Sequence, residues 1–143
     1  MHDNIESMSE REIPPATTES FAYKYARLSS EAARSVRAAV LGAEAANGYT
    51  TLSQADRIAE LLRLGPGRRL LDLGSGRGWP GARVADATGC DLVVTDLPLL
   101  ALRDARGVAP EAGGARAVVC ADGRLLPFRE ACFDAVCHAD VLC

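Results

Sequence analysis

A glycine-rich turn between residues 72 and 78 carries the residue types of this sequence that are best suited to ligand chemistry. It reads Asp72-Leu-Gly-Ser-Gly-Arg-Gly78 and follows a short apolar run. Glycine adopts positive φ without strain and lets a ligand touch the main chain where a Cβ would collide. Because residues 76–81 also satisfy G-x-G-x-x-G, the turn alone leaves a dinucleotide, another adenine-containing cofactor and a ligand-free turn as alternatives.

Two acidic residues stand at the ends of later apolar runs. Asp96 lies 20 positions after Gly76 and can accept hydrogen bonds from both hydroxyls of a ribose, or it can cap the helix predicted from Pro98. Asp122 can accept a hydrogen bond from an adenine amino group while Gly123 keeps the approach open, or the two residues can form an ordinary turn. Asp96 suits either class of cofactor and does not discriminate between them.

The elements that must position these residues are predicted from residues 49–143, which we interpret as one domain. A helix is predicted from Ser53, with Asp56 in a capping box and Gly65-Pro66 at its end. Its predicted buried side is Ile58, Leu61 and Leu62. Near-continuous apolar runs then alternate with helical stretches, as in a parallel sheet with both faces covered. The predicted strands are Leu70–Leu73, Leu92–Thr95, Ala117–Cys120 and Phe133–Cys137, and the predicted helices between them are Pro80–Thr88, ended by Gly89, and Pro98–Val108.

This order predicts an α/β fold with a doubly wound, Rossmann-like sheet of parallel strands. Right-handed crossovers place the ligand site at the carboxyl ends of the strands, where the turn and both acidic residues lie. Upstream, residues 1–20 are polar and without apolar periodicity, which predicts a disordered tail. Residues 21–48 predict a helical segment, stopped by Asn47-Gly48, that is either a lid over the site or ordinary packing. The predicted buried face of this helix is Leu28, Ala32, Val36, Ala39, Val40 and Ala43.

A fourth feature links these motifs to a known family. Leu126-Pro127-Phe128 is followed by Phe133-Asp134-Ala135-Val136. With this loop, the chain from about Tyr49 to Cys143 resembles the small bacterial members of the class I S-adenosylmethionine-dependent methyltransferases, whose first motif is similar to Leu71–Gly78. The family has acidic residues where Asp96 and Asp122 stand. An acid two positions before the first glycine, Asp72, is typical of this family, whereas a dinucleotide turn does not need one.

The resemblance implies S-adenosyl-L-methionine as cofactor and methyl transfer to a small-molecule acceptor by in-line displacement. It implies that Asp72 helps to orient the amino acid end of the cofactor. The cofactor-binding residues that it implies are Asp72, Gly74, Ser75, Gly76, Gly78, Asp96, Leu97, Asp122, Gly123 and His138. No metal ligands are predicted.

A general base is needed only if the acceptor is a hydroxyl or a protonated amine. His138, at the end of the fourth predicted strand, is the candidate for this catalytic role, with a cofactor-lining or structural role as the alternative. Asp140 is the second candidate, and a solvated or capping carboxylate is its alternative. Trp79 could shield the methionine end of the cofactor or pack in the core.

Composition restricts the partners. The chain has 16 Lys and Arg against 19 Asp and Glu, with scattered basic residues, so it has no electrostatic footprint for nucleic acid. No apolar run approaches the 18 residues of a membrane span, and the acidic, proline-containing N-terminus does not resemble a signal peptide, so neither is predicted. The five cysteines form no C-x-x-C motif and are predicted to be buried free thiols in a reducing cytoplasm.

The chain stops directly after the fourth predicted strand, whereas family members have three further strands. We therefore expect a fragment of a longer reading frame, or a chain completed by a partner. The last strand would present an apolar edge open to self-association. A nicotinamide-dependent oxidoreductase and a cofactor-binding fragment without catalysis stay as alternative hypotheses.

Overall fold

Four parallel strands form the sheet at the centre of this protein, in a computed structural model that describes residues 23, 30–42, 48–106 and 114–141. The predicted tail, residues 1–20, lies outside the described residues. The spatial order of the strands is β3-β2-β1-β4. The strands are β1 (Arg69–Leu73), β2 (Asp91–Asp96), β3 (Arg116–Cys120) and β4 (Ala135–His138). The predicted α/β fold with a parallel sheet is confirmed.

Helices precede the sheet and connect its strands. The described helices are α1 (Glu31–Leu41), α2 (Leu52–Leu62), α3 (Gly81–Thr88) and α4 (Leu99–Arg106). Gly89 ends α3 in the left-handed conformation, with φ at 71°, as the sequence predicted. None of these helices is long and apolar enough to cross a membrane.

The start of α2 differs from the prediction. Thr51, not Ser53, is the N-cap, and its hydroxyl accepts a hydrogen bond from the amide of Gln54 at 3.3 Å. The side chain of Gln54 accepts the Thr51 amide at 2.8 Å and completes the capping box, so the predicted role of Asp56 is wrong. Arg63, in the left-handed conformation, ends the helix before the predicted Gly65-Pro66 stop. The predicted burial of Leu61 is wrong, since it is 62% exposed, whereas Ile58 and Leu62 pack against the core.

The predicted buried face of the first helix is also wrong within the described residues. Val36 and Val40 are 61% and 71% exposed. The helix packs through its other side, where Leu41 reaches the cluster of Ala55 and Trp79 and the Arg37 side chain is buried, its Nε and Nη1 atoms included. Gly42, with φ at 74°, ends α1 before the predicted Asn47-Gly48 stop.

One face of the sheet is covered by α2, α3 and α4. The core on this face comprises Ala59, Leu70, Val84, Ala85, Cys90, Leu92, Val94, Leu102, Ala105 and Cys137. Full burial of a leucine such as Leu70 or Leu92 contributes about 1.5–3 kcal/mol. The chain passes from β1 to β2 to β3 in one direction, and because each crossover is right-handed, α3 and α4 lie on the same face.

The connection from β3 to β4 reverses direction and crosses the opposite face. On that face, a Cβ at Gly123 would lie 3.3 Å from the Leu73 side chain, so the connection packs on the end of β1. The strand β4 forms one edge of the described sheet, and Val136 on it is 53% exposed.

The described cysteines differ in burial. Cys90 and Cys137 are buried free thiols, as predicted, whereas Cys120 is exposed. Cys120 ends β3, where the strand leaves the core, and its thiol donates to the carbonyl of Leu97 at 3.3 Å. The prediction of burial is wrong there, and Cys143 lies outside the described residues.

Candidate functional site

The glycine turn connects the carboxyl end of β1 to α3. Gly74, Gly76 and Gly78 have φ values of 67°, 57° and 90°, a region that costs other residues about 1–2 kcal/mol each. The Ser75 amide donates to the carbonyl of Thr95 at 3.0 Å, which fastens the turn to β2. The three glycines are therefore required by backbone conformation, independently of any ligand.

Asp96 joins the end of β2 to the same turn. Its Oδ2 accepts the amide of Gly76 at 2.7 Å, and its Oδ1 accepts the amide of Leu97 at 2.7 Å. Hydrogen bonds to an ionised carboxylate are short and strong, so this residue holds the turn in place. These bonds lie before α4, which begins at Leu99, so they do not cap that helix.

Asp72 is completely buried beneath the turn. Its Oδ2 accepts the amide of Gly81 at the start of α3 at 2.8 Å, and a Cβ at Gly81 would lie only 2.5 Å from the same oxygen. Its Oδ1 makes no hydrogen bond of normal geometry to a described residue, although the Cys137 thiol lies beside the carboxyl group.

Burial, with a smaller contribution from the negative charge of Asp96, raises the pKa of Asp72 to about 7. Hydrogen bonds from Gly81 and Cys137 act in the opposite direction. Burial also raises the pKa of the Cys137 thiol, as does the Asp72 charge. The site therefore holds a carboxyl group that can change its protonation state near neutral pH.

Ser75 provides a second buried polar atom in the turn. The residue is almost fully buried, and its Oγ has no hydrogen-bond partner among the described residues. A buried polar atom without a partner costs about 1–3 kcal/mol, and native proteins keep few of them. Ser75 Oγ and Asp72 Oδ1 are two such atoms within four residues of the chain.

Asp122 lies in the loop after β3, as predicted, with its carboxylate held by Arg124. The Arg124 Nε lies 3.0 Å from Oδ1, and the Nη2 lies 2.6 Å from Oδ2. The backbone amide of Arg124 also donates to Oδ1, at 2.9 Å. The hydrogen bonds from the Arg124 side chain, followed by that from its amide, lower the pKa of Asp122 to about 2. No sequence pattern indicated Arg124 as a partner of Asp122.

His138 and Asp140 lie at the end of β4, separated by Ala139. His138 is exposed and pairs with Leu73 of β1 through the main chain, and none of the described residues forms a hydrogen bond with its imidazole ring. Asp140 has a φ of 59°, and its Oδ2 accepts the backbone amide of Tyr49 at 2.8 Å. This contact with Tyr49 was not predicted, because 91 positions separate the two residues.

Trp79 packs in the core, which was one of its two predicted roles. Its ring is 7% exposed and lies against Ala55. Its Nε1 donates to the carbonyl of Thr50 at 2.9 Å. The residue thus anchors the chain before α2 to the end of the glycine turn.

Comparison with known proteins agrees with this geometry. The family model described as a methyltransferase domain matches residues 71–143, just over half of the chain. The chain therefore belongs to the methyltransferase domain family, and the predicted membership of the class I S-adenosylmethionine-dependent methyltransferases is confirmed. S-adenosyl-L-methionine is the cofactor of that class, as the resemblance implied.

Individual relatives match parts of the chain. A 24-methylenesterol C-methyltransferase 2 from Oryza sativa subsp. japonica is 36% identical over 92 residues, which cover 59% of this chain and 25% of that protein. The crystal structure of the [4+2]-cyclase SpnF has a TM-score of 0.58 at 24% identity and covers 84% of this chain and 48% of its own, which shows the shared fold.

A second solved structure is a SAM-dependent methyltransferase from Geobacter sulfurreducens in complex with S-adenosyl-L-homocysteine. It is 32% identical, with a TM-score of 0.43, and the match covers 49% of this chain and 29% of that one. The chain thus spans a quarter of the rice protein and less than half of each of these structures.

Proposed function

We propose that this chain binds S-adenosyl-L-methionine at the glycine turn, and that the protein transfers its methyl group to a small-molecule acceptor. The observation that carries the proposal is the turn of three positive-φ glycines between the carboxyl groups of Asp72 and Asp96. It lies at the carboxyl ends of two adjacent parallel strands, the usual ligand position in such folds. Family membership supports the same reading.

The polar atoms of the site fit this cofactor. Asp72 Oδ1, which the Cys137 thiol approaches, and Ser75 Oγ, which has no partner among the described residues, are an acceptor and a hydroxyl that suit the charged amino acid end. Asp96 accepts the amides of Gly76 and Leu97, and its carboxylate, which has several acceptor positions, would also accept the ribose hydroxyls. Asp122, with Gly123, would accept the adenine amino group.

The remaining turn and strand-end residues would line the cofactor through their main chains. We include Gly74, Gly76, Gly78 and Leu97 in this set. When bound, the cofactor supplies an electrophilic methyl group on a sulfonium. The protein then has to hold the acceptor in line with the bond that breaks, and positioning of this kind can lower a barrier by about 7–11 kcal/mol.

His138 is our candidate for removing a proton from a hydroxyl or ammonium acceptor. It is exposed at the carboxyl edge of the sheet, and its imidazole ring forms no hydrogen bond with a described residue, so the ring is available to an acceptor. Asp140 is less suited to that role because its carboxylate accepts the Tyr49 amide.

The setting of the reaction is part of the proposal. We place the protein in the cytoplasm, with residues 49–143 as the cofactor-binding domain and residues 21–48 as a lid. No nucleic acid is needed as a partner. Self-association would use the exposed edge at Val136 on β4.

A methyl-transfer assay tests the catalytic half of this proposal. The protein is incubated with methyl-labelled S-adenosylmethionine and separate pools of small hydroxyl, amine and carbon acceptors. We expect labelled product and S-adenosylhomocysteine to form together with at least one pool, and the yield to fall in the Asp96→Ala variant. Cofactor binding without transfer to any pool would overturn the catalytic proposal and leave cofactor binding alone.

A further inference from the structure

We infer that Asp140 is a positioning residue that fastens the N-terminal strap, residues 48–51, across the glycine turn. The strap forms one wall of the cofactor site and slows release of the bound cofactor. The inference that the strap covers a bound cofactor rests on the proposed function. The attachment of the strap to Asp140 and Trp79 rests on contacts between described residues.

The first anchor of the strap is the carboxylate of Asp140. Its Oδ2 accepts the Tyr49 amide at 2.8 Å. The neighbouring Gly48 lies so close that an added Cβ would overlap the same carboxylate oxygen. A larger residue at position 48 would therefore have to displace the Asp140 carboxylate, so the approach of Asp140 favours glycine there.

The second anchor lies on the other side of the turn. The Trp79 Nε1 donates to the Thr50 carbonyl at 2.9 Å, and Trp79 ends the glycine turn. Thr51 then caps α2, which packs beside α3. Successive residues of the strap are thus bound to two elements that flank the turn.

The conformation of Asp140 supports a site role. Its φ of 59° lies in the left-handed region, which a non-glycine residue occupies at a cost and which is frequent at functional sites. This conformation directs the next residue onto the turn, because Val141 Cγ2 lies 2.5 Å from the position that a Cβ on Gly74 would occupy. The segment that carries Asp140 therefore contacts Gly74, the first glycine of the turn, directly.

These contacts predict a kinetic effect. A cofactor held at the turn leaves only when the strap moves, and strap motion requires the Tyr49–Asp140 hydrogen bond to break. Hydrogen bonds to charged groups are stronger than neutral ones, so their loss speeds release about five- to tenfold.

The test compares Asp140→Ala, Asp140→Asn and Asp134→Ala. Asp134 is a matched control, because its Oδ2 accepts the Arg69 amide at 2.8 Å just before the opposite end of β4. We expect S-adenosylhomocysteine to leave Asp140→Ala about five- to tenfold faster than the wild type. Asp140→Asn should release it more slowly than Asp140→Ala but faster than the wild type, since its amide oxygen still accepts the Tyr49 amide but carries no negative charge. Asp134→Ala should also match the wild type.

Wild-type release from Asp140→Ala, or equally fast release from both Asp140 variants, would overturn the inference. Methyl transfer distinguishes a positioning role of Asp140 from a general-base role. A positioning role predicts that Asp140→Asn retains methyl transfer. Abolished methyl transfer with normal cofactor release would make Asp140 the general base and overturn the inference.

Hydrogen exchange at the Tyr49 amide tests the fastening without any cofactor. We expect protection in the wild type and in Asp134→Ala, and its loss in Asp140→Ala. Protection that survives in Asp140→Ala would overturn the inference. Failure of the wild type to bind S-adenosylhomocysteine, with this pattern intact, would instead contradict the proposed function.

A double mutant adds a geometric check. Gly48→Ala should speed release in the wild-type background, because its Cβ displaces the Asp140 carboxylate. It should add nothing in the Asp140→Ala background, where that carboxylate is absent. Additive effects of the two substitutions would overturn the contact as the cause.

Discussion

The Oδ2 of Asp96 accepts the amide of Gly76 at 2.7 Å, and this hydrogen bond joins the end of β2 to the middle of the glycine turn. The Asp96 carboxylate therefore fixes the conformation of the turn, and it lies where we propose that the ribose of the cofactor binds. Positioning and recognition depend on the same residue. Its removal should impair both.

Asp96→Ala should weaken binding of S-adenosylhomocysteine by at least about tenfold and lower the free energy of unfolding by about 1–3 kcal/mol. The reason is the loss of the two amide hydrogen bonds as well as the ribose contacts. Calorimetric titration and urea unfolding measure the two effects. Asp91→Ala is the control, because Asp91 accepts the Ala115 amide at 2.9 Å at the other end of β2 and should change stability without changing affinity.

Asp72 should make stability depend on pH. Its pKa is raised from 3.8 to about 7 in the folded protein, so between these values the folded state keeps a proton that the unfolded state releases. The stabilisation is complete below about pH 4 and is lost as the pH rises through about 7. Asp72→Asn should remove this loss, and urea unfolding from pH 4 to 8 measures it.

The comparison with Asp72→Asn isolates this group from the other carboxylates. Asp122 and Asp134 have lowered pKa values, so their contributions change below about pH 4 and are the same in both proteins. Parallel stability curves for the wild type and the variant between pH 4 and 8 would show that Asp72 is ionised throughout this range, which would contradict a raised pKa of Asp72 in the folded protein.

Trp79 should contribute more to stability through its ring than through its hydrogen bond. Trp79→Ala should lower the free energy of unfolding by about 3–5 kcal/mol, and Trp79→Phe by about 1 kcal/mol, because the latter loses the bond to Thr50. Circular dichroism in urea measures both. The exposed Leu61 provides a control, since Leu61→Ala should change little. Equal effects of Trp79→Ala and Leu61→Ala would contradict the observed packing.

Arg124 should compete with the cofactor for Asp122. Removing its side chain in Arg124→Ala frees both carboxylate oxygens, so S-adenosylhomocysteine should bind about two- to fivefold more tightly, as expected for loss of an exposed ion pair. The gain should shrink at high salt, which screens the ion pair in the wild type.

Arg129→Ala is the matched control for the Arg124 prediction, because it removes the same charge from an exposed position nearby. It should leave affinity unchanged at both salt concentrations. Weaker binding by Arg124→Ala would mean that Arg124 supports the cofactor instead of competing with it.

Features encoded locally could be predicted from the sequence. The apolar runs located all four strands, and Gly89 located the end of α3. The carboxyl-edge rule for parallel strands then placed Asp96 beside the turn. These predictions succeeded because each depends on residues close in sequence or on the general geometry of parallel sheets.

Features set by distant contacts could not be predicted. The orientation of α1 depends on where Leu41 meets Trp79, and the role of Gly48 depends on Asp140, which lies far along the chain. The burial of Asp72 under Gly81 likewise follows from the packing of α3 on the sheet. A local pattern at Gly48 suggested only a helix stop.

Competition between S-adenosylhomocysteine and NAD(H) decides which of the two cofactors binds at the glycine turn. Titration calorimetry of the 143-residue chain should show a single site for S-adenosylhomocysteine that excess NAD(H) does not displace, and binding should weaken in Asp96→Ala. Binding of NAD(H) that S-adenosylhomocysteine cannot displace, or no binding of S-adenosylhomocysteine, would contradict cofactor binding at the glycine turn.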